Sequence, residues 1–256
     1  MEELNGLLLL YLVFFGFLAA FIDSVVGGGG LISIPALMSA GLPPSAAIAT
    51  NKLASSMGSL TSTIAFIRAG KVDFRLTGKL FPLVFFGSLL GAITVYFVSS
   101  EILKPLVLVL LVVVLVYTIF KKDWGSKSTY KQLQWKNAAL FAAAIFIIGF
   151  YDGFLGPGTG SFILFAFLLI GFDFIQSAGN AKFLNFGSNI ASMIMFLFLD
   201  MIHIGYGLTM GAAMILGAIA GSRFAIRHGA AYVRLLFIIV TIVLIGKNIY
   251  DYLKAM

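Results

Sequence analysis

The chain has 256 residues, 61% of them hydrophobic and only 11% charged, with a mean hydropathy of +1.06. That leaves too little polar surface for a water-soluble domain of this size. A formal net charge of +7 would point to nucleic acid in a soluble protein, but the basic residues fall mostly between apolar runs, where topology accounts for them without such a partner. Cysteine is absent, which excludes a disulfide framework and a thiolate metal site.

Crossing roughly 30 Å of hydrocarbon takes about 20 helical residues, and apolar runs over 106–120, 138–150, 190–199 and 235–245 imply several crossings. Glu2 and Glu3 replace the basic n-region of a signal peptide, and more hydrophobic segments follow, so residues 6–26 read as a first membrane helix. A break at Gly27-Gly28-Gly29-Gly30 precedes a short segment over 31–40. After the turn Gly41-Leu42-Pro43-Pro44, helices are expected over 44–67, 74–98 and 102–120. The polar stretch 121–136, with Gly125, reads as a linker. Beyond it come a segment over 137–155, a break at Gly156-Pro157-Gly158-Thr159-Gly160, a short segment over 161–170, and helices over 177–199, 205–228 and 231–249.

The order of features repeats. Asp23 aligns with Asp152 at an offset of 129 residues, and Lys52, Gly87 and Gly91 align with Lys182, Gly217 and Gly221 at 130. The expected organisation is a first membrane repeat over 1–120, a cytoplasmic linker over 121–136 and a second repeat over 137–256. Lys121, Lys122, Lys127, Lys131 and Lys136 put the linker in the cytoplasm, and tracing back through two helices puts Arg68, Lys71 and Arg75 there too. Arg227 and Arg234 ask for a cytoplasmic loop as well, which brings the turn at Asp173 to the same side; Lys104, Lys247 and Lys254 run against the rule. The stretch 137–170 then begins and ends inside and 6–40 begins and ends outside, so each half holds an odd number of segments. The expected fold is an all-α polytopic membrane protein of two inverted-topology repeats, about eight full transmembrane helices plus short broken or re-entrant segments, up to ten in all, with both termini outside.

Irregular backbone inside a bilayer is tolerated where it is packed in protein or lines a polar cavity. Two matched glycine breaks would expose amides and the positive ends of half-helices, which suits an anion; the plain alternative is close helix crossing. Gly28, Gly29, Gly158 and Thr159 are the candidate contacts here. No Gly-Lys-Ser/Thr ending or strand context makes either run a nucleotide loop. Lys52 and Lys182 either snorkel to the headgroups or supply charge attraction, with Asn51, Asn180, Asn185, Ser55 and Ser56 as hydrogen-bonding neighbours. Ser59 and Asn189 extend the polar stripe on each helix, which should face the protein interior. Asp23 and Asp152 either pair with the lysines or cap half-helix amides, or else carry a proton alongside the anion. The Gly-x-x-x-Gly pairs Gly87/Gly91 and Gly217/Gly221 are expected to pack helices closely within a half. His203 and His228 sit in loop-like positions with no cluster for a metal, Trp124 and Trp135 bracket the linker as interfacial aromatics, and no acid, base and nucleophile set marks an enzyme.

The runs Asp23-Ser24-Val25-Val26-Gly27-Gly28-Gly29-Gly30-Leu31-Ile32, Ala49-Thr50-Asn51-Lys52, Gly156-Pro157-Gly158-Thr159-Gly160-Ser161-Phe162 and Asn180-Ala181-Lys182-Phe183-Leu184-Asn185-Phe186 together resemble the TauE/SafE sulfite exporter family, also called the four-toluene-sulfonate uptake permease family. The likeness covers nearly the whole chain. It implies a transporter of sulfite, sulfonates or related anions in a prokaryotic plasma membrane, with Lys52, Lys182, Asn51, Asn180 and Asn185 as the better candidates for substrate contact. The expected function is a secondary transporter working by alternating access, with an anion channel through the same central site as the alternative. The expected partners are the small anion, a coupled proton or other ion, the bilayer and, as one option, a second copy in a homodimer; no cofactor or metal is called for.

Overall fold

Eight helices form where the apolar runs predict them, and a computed structural model describes them over residues 6–95 and 127–228, with Tyr232, Leu235, Ile239 and Ile242 as isolated positions beyond. They are α1 (Gly6–Val26), α2 (Gly30–Ser39), α3 (Pro44–Arg68), α4 (Phe74–Thr94), α5 (Trp135–Phe154), α6 (Thr159–Leu169), α7 (Phe174–Phe198) and α8 (Ile204–His228), with no strand among the described residues. The helices expected over 102–120 and 231–249, the start of the linker and both termini lie outside the described residues, as do the boundary between the first repeat and the linker and residues 96–98 of the third long helix.

Among the described residues five helices, α1, α4, α5, α7 and α8, are long and apolar enough to cross a membrane. Helix α3 has the same 25 residues as α7, about 37 Å at 1.5 Å per residue, but its buried Thr50, Asn51, Lys52, Ser56 and Ser59 lower its hydropathy. Aspartate side chains cap the starts of α4 and α7. The Asp173 carboxylate accepts the Gln176 N–H at 2.8 Å, so α7 begins at Phe174 and not at 177. Asp73 does the same for α4 through the N–H groups of Arg75 and Leu76. The second break is shorter than expected, because α6 already begins at Thr159.

Helix pairing joins the two halves. Helix α1 packs most extensively on α8, and α5 on α4, while α3 lies against α7 and α8, and α7 against α4. Exchanging α1–α4 for α5–α8 reproduces each of these pairings. The glycine pairs explain the closest approaches: a Cβ on Gly217 or Gly221 would overlap the Phe17 or Phe21 carbonyl of α1, and one on Gly87 or Gly91 the Phe146 or Phe150 carbonyl of α5. These glycines therefore pack helices between halves, and the expectation of packing within a half is corrected. Gly-x-x-x-Gly spacing marks a face that admits a close neighbour but carries no information about which helix that neighbour is.

At the centre α3 and α7 run antiparallel. Near the C-terminal end of α3, Thr63 Oγ1 donates to the Lys182 carbonyl (3.0 Å) and the Asp73 N–H to Asn180 Oδ1 (2.7 Å). Near its N-terminal end the His203 N–H donates to Thr50 Oγ1 (2.9 Å). Two apolar clusters flank the crossing. Val25, Phe66, Phe141, Phe167 and Ala225 belong to the one at the Arg68 end, and Leu12, Leu37, Ile48, Phe196 and Tyr206 to the other. At the Arg68 end the described part of the linker docks on the turn after α6, where the Thr129 N–H donates to the Gly171 carbonyl (2.7 Å) and the Tyr130 and Phe172 rings stack at 4.2 Å.

Candidate functional site

The site begins with the two backbone breaks. Helix α1 ends at Val26 because Gly27 (φ 83°) and Gly28 (φ 92°) adopt the left-handed conformation that residues with a Cβ rarely take. Gly156 and Gly158, both at φ 87°, do the same between α5 and α6. The breaks cross in contact: a Cβ on Gly27 would overlap the backbone of Gly160 and Ser161, and Ser161 Oγ donates to the Val26 carbonyl at 3.0 Å.

Four charges gather around this crossing. Lys52 Nζ lies 2.8 Å from Asp152 Oδ1 and Lys182 Nζ 2.6 Å from Asp23 Oδ2, so each lysine is paired with the carboxylate on the broken helix of the other half. Both lysines are 1% exposed, which rules out snorkelling. Burying an ammonium removes several kcal/mol of hydration, offset only by good pairing and further hydrogen bonds. Such bonds are present. Asp23 Oδ1 accepts the Gly29 N–H at 3.2 Å, tying the carboxylate to the start of α2, and Lys52 Nζ also reaches Asn189 Oδ1 at 3.3 Å. Asn189 Nδ2 donates to Asn185 Oδ1. Asn51 Oδ1 accepts from Ser33 Oγ (2.6 Å) and Ser55 Oγ (3.2 Å), and Thr159 Oγ1 donates to the Gly156 carbonyl (2.8 Å). Asp152 Oδ2 is buried and has no hydrogen-bond partner among the described residues.

Between these groups lies a cavity of about 20 Å³, room for roughly one water. Asp23, Gly28, Gly29, Asn51, Lys52, Ser55, Asp152, Gly158, Thr159 and Asn185, all expected from the sequence, line it. Lys182 stands behind its pair with Asp23, its Nζ 3.3 Å from where a Cβ on Gly160 would sit. Asn180 is not brought into the cavity; its side-chain carbonyl is taken by the Asp73 N–H. Gly30, Gly156, Gly160 and Asn189 line it in addition to the expected set, and Ser33 braces Asn51 from α2. Asn189 was legible as a continuation of the polar stripe; Ser33, on a short apolar helix, carried no comparable signal. His203 caps α8, its Nδ1 accepting the Tyr206 N–H at 3.3 Å.

The site combines hydrogen-bond donors with carboxylates that neutralise its two ammonium groups. Two ammonium groups, side-chain amides, hydroxyls and the amides at a half-helix start can all donate to an oxyanion. In this state the two aspartates occupy the ammonium groups.

The family profile described as Sulfite exporter TauE/SafE matches residues 12–248. The chain is 37% identical over 253 residues to the probable membrane transporter protein ORF9 of Sinorhizobium sp, covering 98% of this chain and 96% of that one. It is 37% identical over 258 residues to the probable membrane transporter protein YfcA of Escherichia coli (strain K12), with coverage of 98% and 95%. A probable membrane transporter protein of Haemophilus influenzae is 36% identical over 237 residues, 92% of each chain. No solved structure matches.

Proposed function

The chain belongs to the TauE/SafE sulfite exporter family, and on that premise we propose that it is a secondary transporter moving a small sulfur-containing anion, sulfite or a sulfonate, by alternating access. Its relatives are named membrane transporters and five of its helices are apolar enough to span a bilayer, so it is a multi-pass membrane protein.

One observation carries the anion reading. Two buried lysines, one from each half, converge where two glycine breaks cross, each neutralised by an aspartate that an incoming anion can replace. Sulfite and sulfonates present three oxygens around sulfur, matching a cluster of ammonium, amide and hydroxyl donors. Alternating access is supported by pairings that recur when the halves are exchanged, and by a cavity too small for an open path. The halves are read as inverted repeats. Arg68, Lys71, Arg75, Lys79 and the described lysines of the linker cluster at one end of the molecule, which the positive-inside rule assigns to the cytoplasm of a prokaryotic inner membrane, leaving both termini outside. Asp23 and Asp152 are the groups that could take a proton when an anion displaces them.

The test is a thermal-shift screen of the purified chain against sulfite, sulfonates, sulfate, thiosulfate and carboxylates, followed by liposome uptake of whatever stabilises it. Stabilisation by a sulfur oxyanion, with uptake accelerated by the same anion preloaded inside, is the expected result. Uptake without that acceleration identifies a channel, and the absence of any anion effect removes the anion reading.

A further inference from the structure

The two ion pairs stand at opposite ends of the central cavity and are not equivalent. Thr63 Oγ1 binds the Lys182 carbonyl, which places the Lys182–Asp23 pair toward the Arg68 end of α3; Lys52 and Asp152 lie toward the His203 end, with Asn189. The Asp23 side chain is 23% exposed and that of Asp152 only 3%. The repeat offset explains the difference, because the positions of Ser55 and Ser59 on α3 are taken by Asn185 and Asn189 on α7. The asparagines are bonded to one another and Asn189 holds Lys52, a chain of side chains across that end of the cavity. Ser59 is too short to do the same for Lys182, and its hydroxyl turns back onto the Ser56 carbonyl at 3.3 Å.

The space the serines leave is a seam of about 10 Å³ between α1, α3 and α8. It is lined by Ala19, Ala20, Ser24, Gly58, Ser59 and Met214, and shares Asp23, Gly29 and Ser55 with the central cavity. Its closures are slight: the Ser24 and Ser62 hydroxyls meet at 2.6 Å, and the Met214 thioether lies 4.0 Å from Ser55 Oγ. Methionine is the most adaptable plug an apolar wall offers. Resting on the anion-transport reading above, we infer that this seam is the gate through which the anion reaches the site, and that the anion displaces Asp23 from Lys182. Met214 is its stopper, and the Asn185–Asn189–Lys52 chain is the latch that keeps the other end shut. The Ser24–Ser62 contact closes the seam on the side nearer the Arg68 end of α3, so with the basic loops in the cytoplasm the gate opens inward.

The chain has no cysteine, so single substitutions report accessibility directly. Ser62 and Ser192 are equivalent, fully buried and each bonded to a serine on a neighbouring helix, so Ser62→Cys and Ser192→Cys are matched changes. With the full chain in liposomes, a membrane-impermeant thiosulfonate reagent should modify Ser62→Cys at least tenfold faster than Ser192→Cys, from the side bearing the basic loops. Met214→Ala should quicken the first reaction, and Asn189→Ser should raise the second toward it. Equal rates in the matched pair, or a Ser192→Cys rate that Asn189→Ser leaves unchanged, overturn the gate and latch. If Asn189→Ser does not yield a monodisperse protein, the Met214→Ala comparison decides, and an unchanged Ser62→Cys rate counts against the gate. The labelling needs no substrate: asymmetric labelling in a chain that moves no anion removes the transport reading instead.

Discussion

A lysine buried among apolar helices persists only with a counter-charge, and Lys52 has Asp152 at 2.8 Å with both side chains almost fully enclosed. Lys52→Met strands that carboxylate, and removing one member of a buried pair costs about 3–5 kcal/mol, so the midpoint of thermal unfolding should fall well below that of the parent. Adding Asp152→Asn removes the stranded charge and should restore most of the loss. Anion binding should not return with it, since the ammonium is still missing; thermal shifts measured with and without sulfite read both quantities, and an anion response in the double variant would remove Lys52 from the site. The sequence marked both lysines and both aspartates by their matched positions. It did not reveal that each lysine pairs with the other half, because sequence spacing is silent about partners far along the chain. Helical phase, by contrast, held information that position in a motif obscured. Asn185 and Asn189 follow Lys182 by three and seven residues and share its face, whereas Asn180 precedes it by two, falls on the far side and serves the Asp73 N–H.

At the scale of helices, glycines decide how closely the two halves approach. Gly221 lets α8 lie directly on the Phe21 carbonyl of α1, and Gly91 lets α4 lie on the Phe150 carbonyl of α5, leaving no room for a methyl group at either contact. Overpacking of this kind costs about 1–3 kcal/mol or more, so Gly221→Ala and Gly91→Ala should each lower thermal stability by that amount. Gly78 is the control: it is an exposed glycine inside α4 with no atom within 4 Å of an added Cβ, and Gly78→Ala should be neutral or stabilise by about 0.5–1 kcal/mol through helix propensity. Equal losses at all three positions would mean the effect is unrelated to helix approach. Both breaks, both short helices and the order of the described elements were readable from glycine and hydropathy patterns. The start of α7 was not, because Asp173 closes the turn after α6 and also caps α7, which starts the helix three residues before the polar pattern suggests. The partner of each glycine face was hidden for the same reason as the lysine partners.

For the whole molecule the governing quantity is charge. The central cluster holds two ammonium groups and two carboxylates, neutral in sum, inside a low-dielectric body where an unbalanced charge is expensive. Admitting one monovalent anion leaves that cluster one charge negative unless a proton or another cation enters with it. In the proposed mechanism Asp23 receives that proton, since an anion that takes its place at Lys182 frees its carboxylate. The sign follows directly: a proton travelling with the anion means that uptake into liposomes should quicken when the outside is made more acidic than the inside, and slow when the gradient is reversed. Asp23→Asn supplies a permanently neutral amide, so the variant should still exchange internal for external anion while its net uptake loses the response to the pH gradient. Asp152→Asn leaves the cluster one charge positive as well, so an entering anion neutralises it without a proton and the net uptake of this variant should lose the response too. Radiolabelled-anion flux at a clamped membrane potential, in parent and both variants, makes the comparison. Uptake in the parent that ignores the pH gradient would show that neutrality is restored by some other ion or not at all, and would leave Asp23 as a gate without a proton to carry.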